Sequence, residues 1–268
     1  MTKQRSAKIF TLLLVVLSAS CIYVVVEDPQ AAGRLMRPRL EKSLPFPADG
    51  VLAVEAENAE VEIRGWDQEE ISLVAEEDRP VPSGPRVFGT WDNEPDVEID
   101  RTGDRLLIRA GFSGEGETQV RLVLRVPRSL RVRGVDVREG TILLADFYGE
   151  ALIRLETGDL RVENYSGSLD ARVGEGDIVA EFLDVREEDE VRLLAADGDI
   201  TLTLEENVRA SLDAGAAAGE ITSELDLKIP LPAGEAKAEL GGGGGGRIEL
   251  RAEQGSIHIQ KSKGSEDV

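Results

Sequence analysis

The sequence predicts an all-β protein: an elongated β-solenoid or β-roll of short glycine-punctuated strands, preceded by one N-terminal transmembrane helix. Three observations predict it. Gly140, Gly149, Gly158, Gly167 and Gly176 follow one another at nine-residue intervals. Aliphatic residues recur two positions after each (Ile142, Ala151, Leu160, Leu169, Ile178) and four positions after (Leu144, Ile153, Val162, Ala171, Ala180), a spacing that puts them on one face of a strand. At the N-terminus, residues 9–26 form an uninterrupted uncharged run of 18 residues.

That run comes first in chain order. As a helix it would span about 27 Å, close to the ~30 Å hydrocarbon thickness of a bilayer. Lys3, Arg5 and Lys8 precede it, and Glu27 is the first acid in the chain. Positive residues favour the cytoplasmic side, so residues 1–8 are expected there and everything after Val26 beyond the inner leaflet. Three modes of attachment fit. An uncleaved signal anchor fits because Ile22, Tyr23, Val24, Val25 and Val26 extend the run past any cleavage point. A lipoprotein signal fits Leu17-Ser18-Ala19-Ser20-Cys21, which resembles a lipobox with Ser18 in place of an aliphatic residue and makes Cys21 a candidate lipidation site. Ordinary cleavage after Ser20 is the third. All three export the rest of the chain.

Residues 27–47 carry Pro29, Pro38, Pro45 and Pro47 among mixed charges and read as a stalk. A β-strand-repeat domain is expected over 48–261 and a polar tail over 262–268. Inside the domain a period of eighteen overlies the nine, because Asp146-Phe147 and Asn164-Tyr165 hold equivalent places. This predicts two strands per repeat, with the Asp or Asn turning the chain and the aromatic covering the corner. Glu150, Arg154, Arg161, Glu163, Asp170 and Arg172 lie between the apolar positions and should face solvent. Further starts follow at Gly198-Asp-Ile200, Gly219-Glu-Ile221, Gly246-Arg-Ile248 and Gly255-Ser-Ile257, with insertions such as 183–190 enlarging some turns. A single nine-residue strand buries two or three aliphatic side chains at about 1.5–3 kcal/mol each, while ordering its backbone costs about 1–2 kcal/mol per residue. Only stacking makes the sum favourable.

The N-terminal part of the domain uses the same device. Leu52, Val54 and Ala56 follow Gly50, and Val61 and Ile63 follow Ala59, which stands in the glycine place. Ile71, Leu73 and Ala75 continue the alternation after Gly65-Trp66-Asp67. Residues 79–95, with Pro80, Pro82, Pro85 and Pro95, read as a long loop; strands resume over 106–110 and 120–126, and Pro127-Arg128-Ser129 marks a break. The stretch Asn58…Val61-Glu-Ile63-Arg-Gly65-Trp66-Asp67, the Val126-Pro127 break before Leu130-Arg-Val132, the Gly-x-Ile/Leu repeats and the closing Gly255-Ser-Ile257-His-Ile259 carry a resemblance. They are similar to the bacterial "putative adhesin" β-strand-repeat family, over about residues 50–261. The resemblance implies an exported or membrane-anchored β-solenoid. The expected location is then the bacterial inner membrane, single pass, with the bulk of the chain periplasmic or extracellular.

Composition narrows the chemistry. Aromatic residues are 4% of the chain against 41% hydrophobic overall, so the core must be aliphatic. With 31 Lys+Arg against 52 Asp+Glu and a net charge of -21, no nucleic-acid partner is expected. One Cys excludes a disulfide framework and a Cys-based zinc site, and one His excludes a multi-His metal centre. His258 stands between Ile257 and Ile259 and reads as a solvent-facing strand residue. Residues 241–246, all glycine, match a dinucleotide fingerprint only trivially, since a strand follows them; they read as a flexible turn.

The Gly-Asp turns at Asp159, Asp177 and Asp199 invite comparison with calcium β-rolls. Each turn brings a single acid, and Thr141 and Ser168 replace it in other copies, so turn-favouring aspartates with at most weak cation contacts are expected. Trp66 and Trp91 could stack on a sugar ring or cap the end of a core, and Glu187-Glu188-Asp189-Glu190 reads as a solvated loop or a cation-attracting patch. So many acids bring some carboxylate pair to glycosidase spacing by chance, so no catalytic residue, cofactor or metal ligand is assigned.

The function expected is a membrane-anchored, exported, non-catalytic β-repeat structural or interaction protein of the bacterial envelope. It would touch the membrane through its N-terminal helix and an envelope polysaccharide or protein through its sheets or turns; its oligomeric state is open. Two rivals stand beside it. A polysaccharide-acting β-helix enzyme needs a cleft where acids and an Arg or Lys converge. An envelope sensor would have to work through a partner, because eight cytoplasmic residues are too few for an output domain.

Overall fold

The computed structural model describes residues 35–80, 94–112, 118–225, 227 and 234–262, and every regular element in them is a strand. The helix expected over 9–26 lies outside the described residues, as do Cys21 and Trp91. Among the described residues no helix is long and apolar enough to cross a membrane.

The sheet begins inside the segment read as a stalk. Strands β1 (Leu35–Met36) and β2 (Arg39–Pro45) both pair antiparallel with β4 (Glu70–Pro80), which follows β3 (Val51–Trp66) across a tight turn. The prolines are accommodated because Pro38 lies between two strands and Pro45 ends one that pairs on a single side. β5 (Val97–Thr102) and β6 (Arg105–Ala110) form a hairpin; β5 is too short an alternation to stand out in the sequence. After β7 (Gln119–Pro127) the regular repeat starts. β8 (Arg131–Tyr148) and β9 (Ala151–Ser166) each run straight through a corner. In the next repeats the corner breaks the strand in two: β10 (Leu169–Glu175) with β11 (Ile178–Asp184), and β12 (Glu190–Asp197) with β13 (Ile200–Leu204). β14 (Ala210–Ala216), β15 (Ile221–Ser223), β16 (Glu235–Leu240), β17 (Gly246–Gln254) and β18 (Ile257–Lys261) complete the chain.

Pairing folds this long sheet into two faces. The first runs β5–β6–β3–β8–β9–β10–β12–β17–β14–β16, and the second runs β2–β4–β7–β3–β8–β9–β11–β13–β18–β15. All pairs in the middle of the stack are parallel; antiparallel strands close the ends at β5, β16 and β4–β2. The eighteen-residue period is one full coil, since Gly140 stands beside Gly158 and Ala151 beside Leu169. The insertion over 183–190 lengthens the next coil, so Leu169 stands beside Val191. Space and sequence then part. β17 lies between β12 and β14, and β18 between β13 and β15, so the last coil of the chain is the last but one of the stack.

The core is the aliphatic space between the faces. Ile142, Leu144, Ile153, Leu160, Val162, Leu169 and Ile178 are all buried in it, as their spacing predicts, while Arg154, Arg161 and Arg172 are exposed. Asp146 (φ +58°) and Asn164 (φ +50°) turn the chain in the left-handed region, which these two residue types tolerate best after glycine. That turn tucks Phe147 and Tyr165 into the core, where they stack with centroids 6.1 Å apart, and Phe182 meets Tyr165 edge-on at 5.3 Å.

Candidate functional site

Three clusters of polar side chains stand out, and each is built by stacking rather than by one element alone. The first lies on the glycine corner. Gly140, Gly158, Gly176, Gly198, Gly255 and Gly219 form a column in that order, and a Cβ on each of the last five would overlap the carbonyl oxygen of the one before. Ala59 can stand at the head of this column because its own φ is not in the positive range. One residue past the column come the aspartates singled out above. Asp159 Oδ1 accepts the Asp177 N–H at 3.0 Å, Asp177 Oδ1 accepts the Asp199 N–H at 2.8 Å, and Asp199 Oδ1 accepts the Ser256 N–H at 2.7 Å. The structure thus unites the three residues in one ladder, with each carboxylate fixing the next coil's backbone. Among the described residues, no three His, Cys, Asp or Glu side chains are grouped so as to hold a metal ion.

The second cluster occupies the opposite corner, near the N-terminal end. Trp66 is half-buried, and its indole N–H donates to the Glu70 carbonyl at 2.9 Å, closing the turn from β3 to β4. Next to it Arg128 Nε donates to Asp67 Oδ1 at 2.7 Å, its Nη1 donates to the Asp146 carbonyl at 3.2 Å, and its guanidinium lies 5.7 Å from the centre of the Tyr148 ring. The hydrogen bond to Asp67 outweighs the cost of burial and holds the guanidinium above its usual pKa. Tyr148 keeps 47% of its surface exposed at this corner. The sequence singled out Trp66 but not Arg128 or Tyr148; the missing signal is the register that sets Trp66 beside Pro127.

The third cluster lies on the first face at the C-terminal end. Asp213 sits 3.1 Å from Arg251 and 3.3 Å from Lys237, and Arg251 also reaches Glu249 at 3.2 Å. Burial pushes the Asp213 carboxyl up, but the Lys237 hydrogen bond and the Arg251 charge outweigh it and hold it below the ordinary carboxylate value. Beside it is a shallow trough of about 390 Å³, lined by Ser211, Asp213, Lys237, Glu239 and Arg247 among others. No sequence signal marked these residues, because they come from three strands and alternate with alanines.

Elsewhere the outward rows are filled by opposite charges: Glu55 and Glu98 with Arg109, Asp136 with Arg154, and Asp170 and Glu249 with Arg192. His258 is half-exposed on β18 with Nδ1 2.8 Å from the Thr222 hydroxyl oxygen. In the acidic loop Asp189 is buried and accepts the Arg186 N–H at 2.8 Å, so this acid forms the turn. The arrangement suits recognition by shape and charge on a fixed surface.

Residues 135–264 match the family described as Toastrack DUF4097. Among solved structures the chain is similar to a "putative cell adhesion protein" from Clostridium sporogenes ATCC 15579, at 12% identity over 84% of this chain and 100% of that one, with a TM-score of 0.47. It is similar to a "putative adhesin" from Bacteroides fragilis NCTC 9343 at 11% identity over 84% and 97%, with a TM-score of 0.34. A "putative lipid binding protein" from Parabacteroides distasonis ATCC 8503 aligns at 11% identity over 84% and 97%, with a TM-score of 0.26. No curated protein matches the chain.

Proposed function

We take the Toastrack DUF4097 domain carried by residues 135–264 as the premise and propose that the protein is an exported, membrane-anchored, non-catalytic scaffold of the bacterial envelope, displaying a rigid β-solenoid to a polysaccharide or protein partner. Residues 1–8 lie in the cytoplasm, 9–26 cross the inner membrane as an uncleaved anchor, and 27–34 link the anchor to the first strand. The observation that carries the reading is the surface itself. Its aspartate ladder ties each carboxylate to the backbone N–H of the next coil, and its ion pairs tie charged side chains to one another across successive coils, which fixes two faces and two corners. A surface held in that way binds through preformed shape, with little ordering cost on binding.

The test uses the full chain in detergent micelles, with thermal unfolding followed in the presence of soluble peptidoglycan fragments and envelope polysaccharides. A ligand that binds only the folded state raises the unfolding temperature. A rise with one glycan, abolished by Trp66→Ala or Tyr148→Ala, is the expected result; turnover of that glycan would overturn the non-catalytic reading. Location is tested separately. A C-terminal tag should be digested by protease in osmotically opened cells whose inner membrane is intact, and full protection there overturns export. Cys21→Ser should leave the chain in the membrane fraction; release into the soluble fraction would assign attachment to a lipid on Cys21 instead.

A further inference from the structure

The C-terminal end of the stack is built out of order, and that has a mechanical consequence. β14 has two partners, β16 and β17, and β15 has one, β18. Neither β14 nor β15 pairs with β12 or β13, the strands that precede them in the chain. Residues 210–261 therefore form a unit that reaches the rest of the solenoid along one seam, β12–β17 on the first face and β13–β18 on the second. The only covalent bridge across the seam is residues 205–209, a turn closed by the Val208 N–H donating to the Glu205 carbonyl at 3.1 Å.

Within the unit, Ala210, Ala214, Ala216, Ala236, Ala238 and Ala252 take six inward positions beside Leu212, Leu240, Ile248, Leu250, Ile257 and Ile259, whereas β8 and β9 bury mostly larger side chains such as Ile142, Leu144, Ile153 and Leu160. Smaller side chains remove less apolar surface from water, so the outer strands β14 and β16 add less to the stack than a middle coil does. The seam itself is generic. It consists of ladder bonds such as Gly198 N–H to the Gln254 carbonyl and Ile200 N–H to the Ser256 carbonyl, the Asp199–Ser256 contact, and ion pairs between Arg192 and Glu249 and between Glu206 and Lys261. Every one of these is satisfied equally well by the same residues of another copy.

We propose that residues 210–262 are a detachable closing unit that opens along this seam and exchanges with the same unit of a second copy of the chain. Opening bares the edges of β12 and β13 together with Val191, Leu193, Ala195, Ile200 and Leu202, which are buried when the seam is closed. The surface that fits such an edge in register, row for row, is the β17–β18 coil, so a second copy is the natural occupant and exchange is the low-cost route to a dimer.

Cross-linking tests this directly. Arg192 and Glu249 stand directly opposite one another across the seam, where neighbouring strands lie about 4.8 Å apart, within reach of a disulfide. Two batches of the full chain are made on a Cys21→Ser background, one carrying Arg192→Cys and the other Glu249→Cys. They are mixed below the global unfolding temperature and then oxidised. The expected result is a Cys–Cys dimer that grows with time and protein concentration, at least tenfold above either batch alone. Its absence overturns the proposal if a double variant, Arg192→Cys with Glu249→Cys, closes its disulfide within one chain. If that double variant stays open, amide hydrogen exchange decides. Residues 210–216 and 246–261 exchanging as one block, at least tenfold faster than 142–162, supports the proposal, and equal protection of the two regions overturns it.

Discussion

At the scale of single residues, the corners are held by contacts that leave no room for a side chain. Gly158 has φ +128° and meets the Gly140 carbonyl, so Gly158→Ala combines backbone strain with a steric overlap inside the sheet. Gly103, at φ +64° in the β5–β6 hairpin, has open space around it. Gly158→Ala should cost about 3–5 kcal/mol in urea unfolding and Gly103→Ala about 1 kcal/mol. Equal costs would refute the column as the reason for glycine there. The aspartate ladder makes a second prediction at this scale. Asp177→Ala removes the acceptor of the Asp199 N–H and should cost about 1 kcal/mol, whereas Asp177→Asn keeps an acceptor and removes one of the stacked like charges. The Asn variant should match or exceed the native stability. If calcium raises the unfolding temperature of the native chain and not of this variant, the ladder is an ion site and the structural account fails.

At the scale of elements, two groups of side chains tie neighbouring coils together. Tyr165 is fully buried, and its hydroxyl lies 2.6 Å from the Gly149 carbonyl and 2.9 Å from the Ser168 carbonyl. Burial raises the phenol pKa, so the group stays protonated and donates at every pH at which the protein is handled. Tyr165→Phe should cost about 1–2 kcal/mol, since it removes the buried donor that bonds the Gly149 carbonyl. Phe182→Ala removes the third ring of the stack and should cost about 3–5 kcal/mol. On the first face Asp213 joins β14, β16 and β17 through Lys237 and Arg251. Its folded pKa lies below the unfolded value, so its contribution is present above the unfolded pKa and is lost as pH falls through the folded one. Native and Asp213→Asn chains should therefore differ by about 0.5–1 kcal/mol at pH 7 and converge below about pH 4. A constant difference across that range would show that the carboxylate charge is not what matters.

At the scale of the molecule, the intercalated coil makes the C-terminal end interdependent. Truncation after Leu240 removes β17 and β18, the parallel partners of β14 and β15. Residues 210–240 should then lose their amide protection although they are still present, while 142–173 keep theirs. Persistence of protection over 210–216 in the truncated chain would mean that β14 docks directly on β12. The charge is also uneven along the stack: residues 35–134 hold 14 Lys+Arg and 20 Asp+Glu, whereas 135–264 hold 13 and 28. The C-terminal part therefore carries most of the negative field, and basic partners should approach it first in low salt.

What the sequence alone determined is local and periodic. Gly140, Gly158 and Gly176 marked a corner because only glycine meets both the φ and the close approach there, and Asp146-Phe147 with Asn164-Tyr165 marked the other because a left-handed turn followed by a buried ring needs those residue types. The alternation told which side chains face inward. It did not tell that residues 39–45 pair with β4, since prolines outweigh a short alternation, nor that Arg128 would reach Asp67, 61 positions away. Above all it did not place β17 and β18 between coils that come earlier in the chain. A strand's pattern fixes which face is buried, but its hydrogen-bonding edge is the same for every sequence. Which coil lies beside which is settled by the whole docked arrangement, and only the tertiary structure decided it.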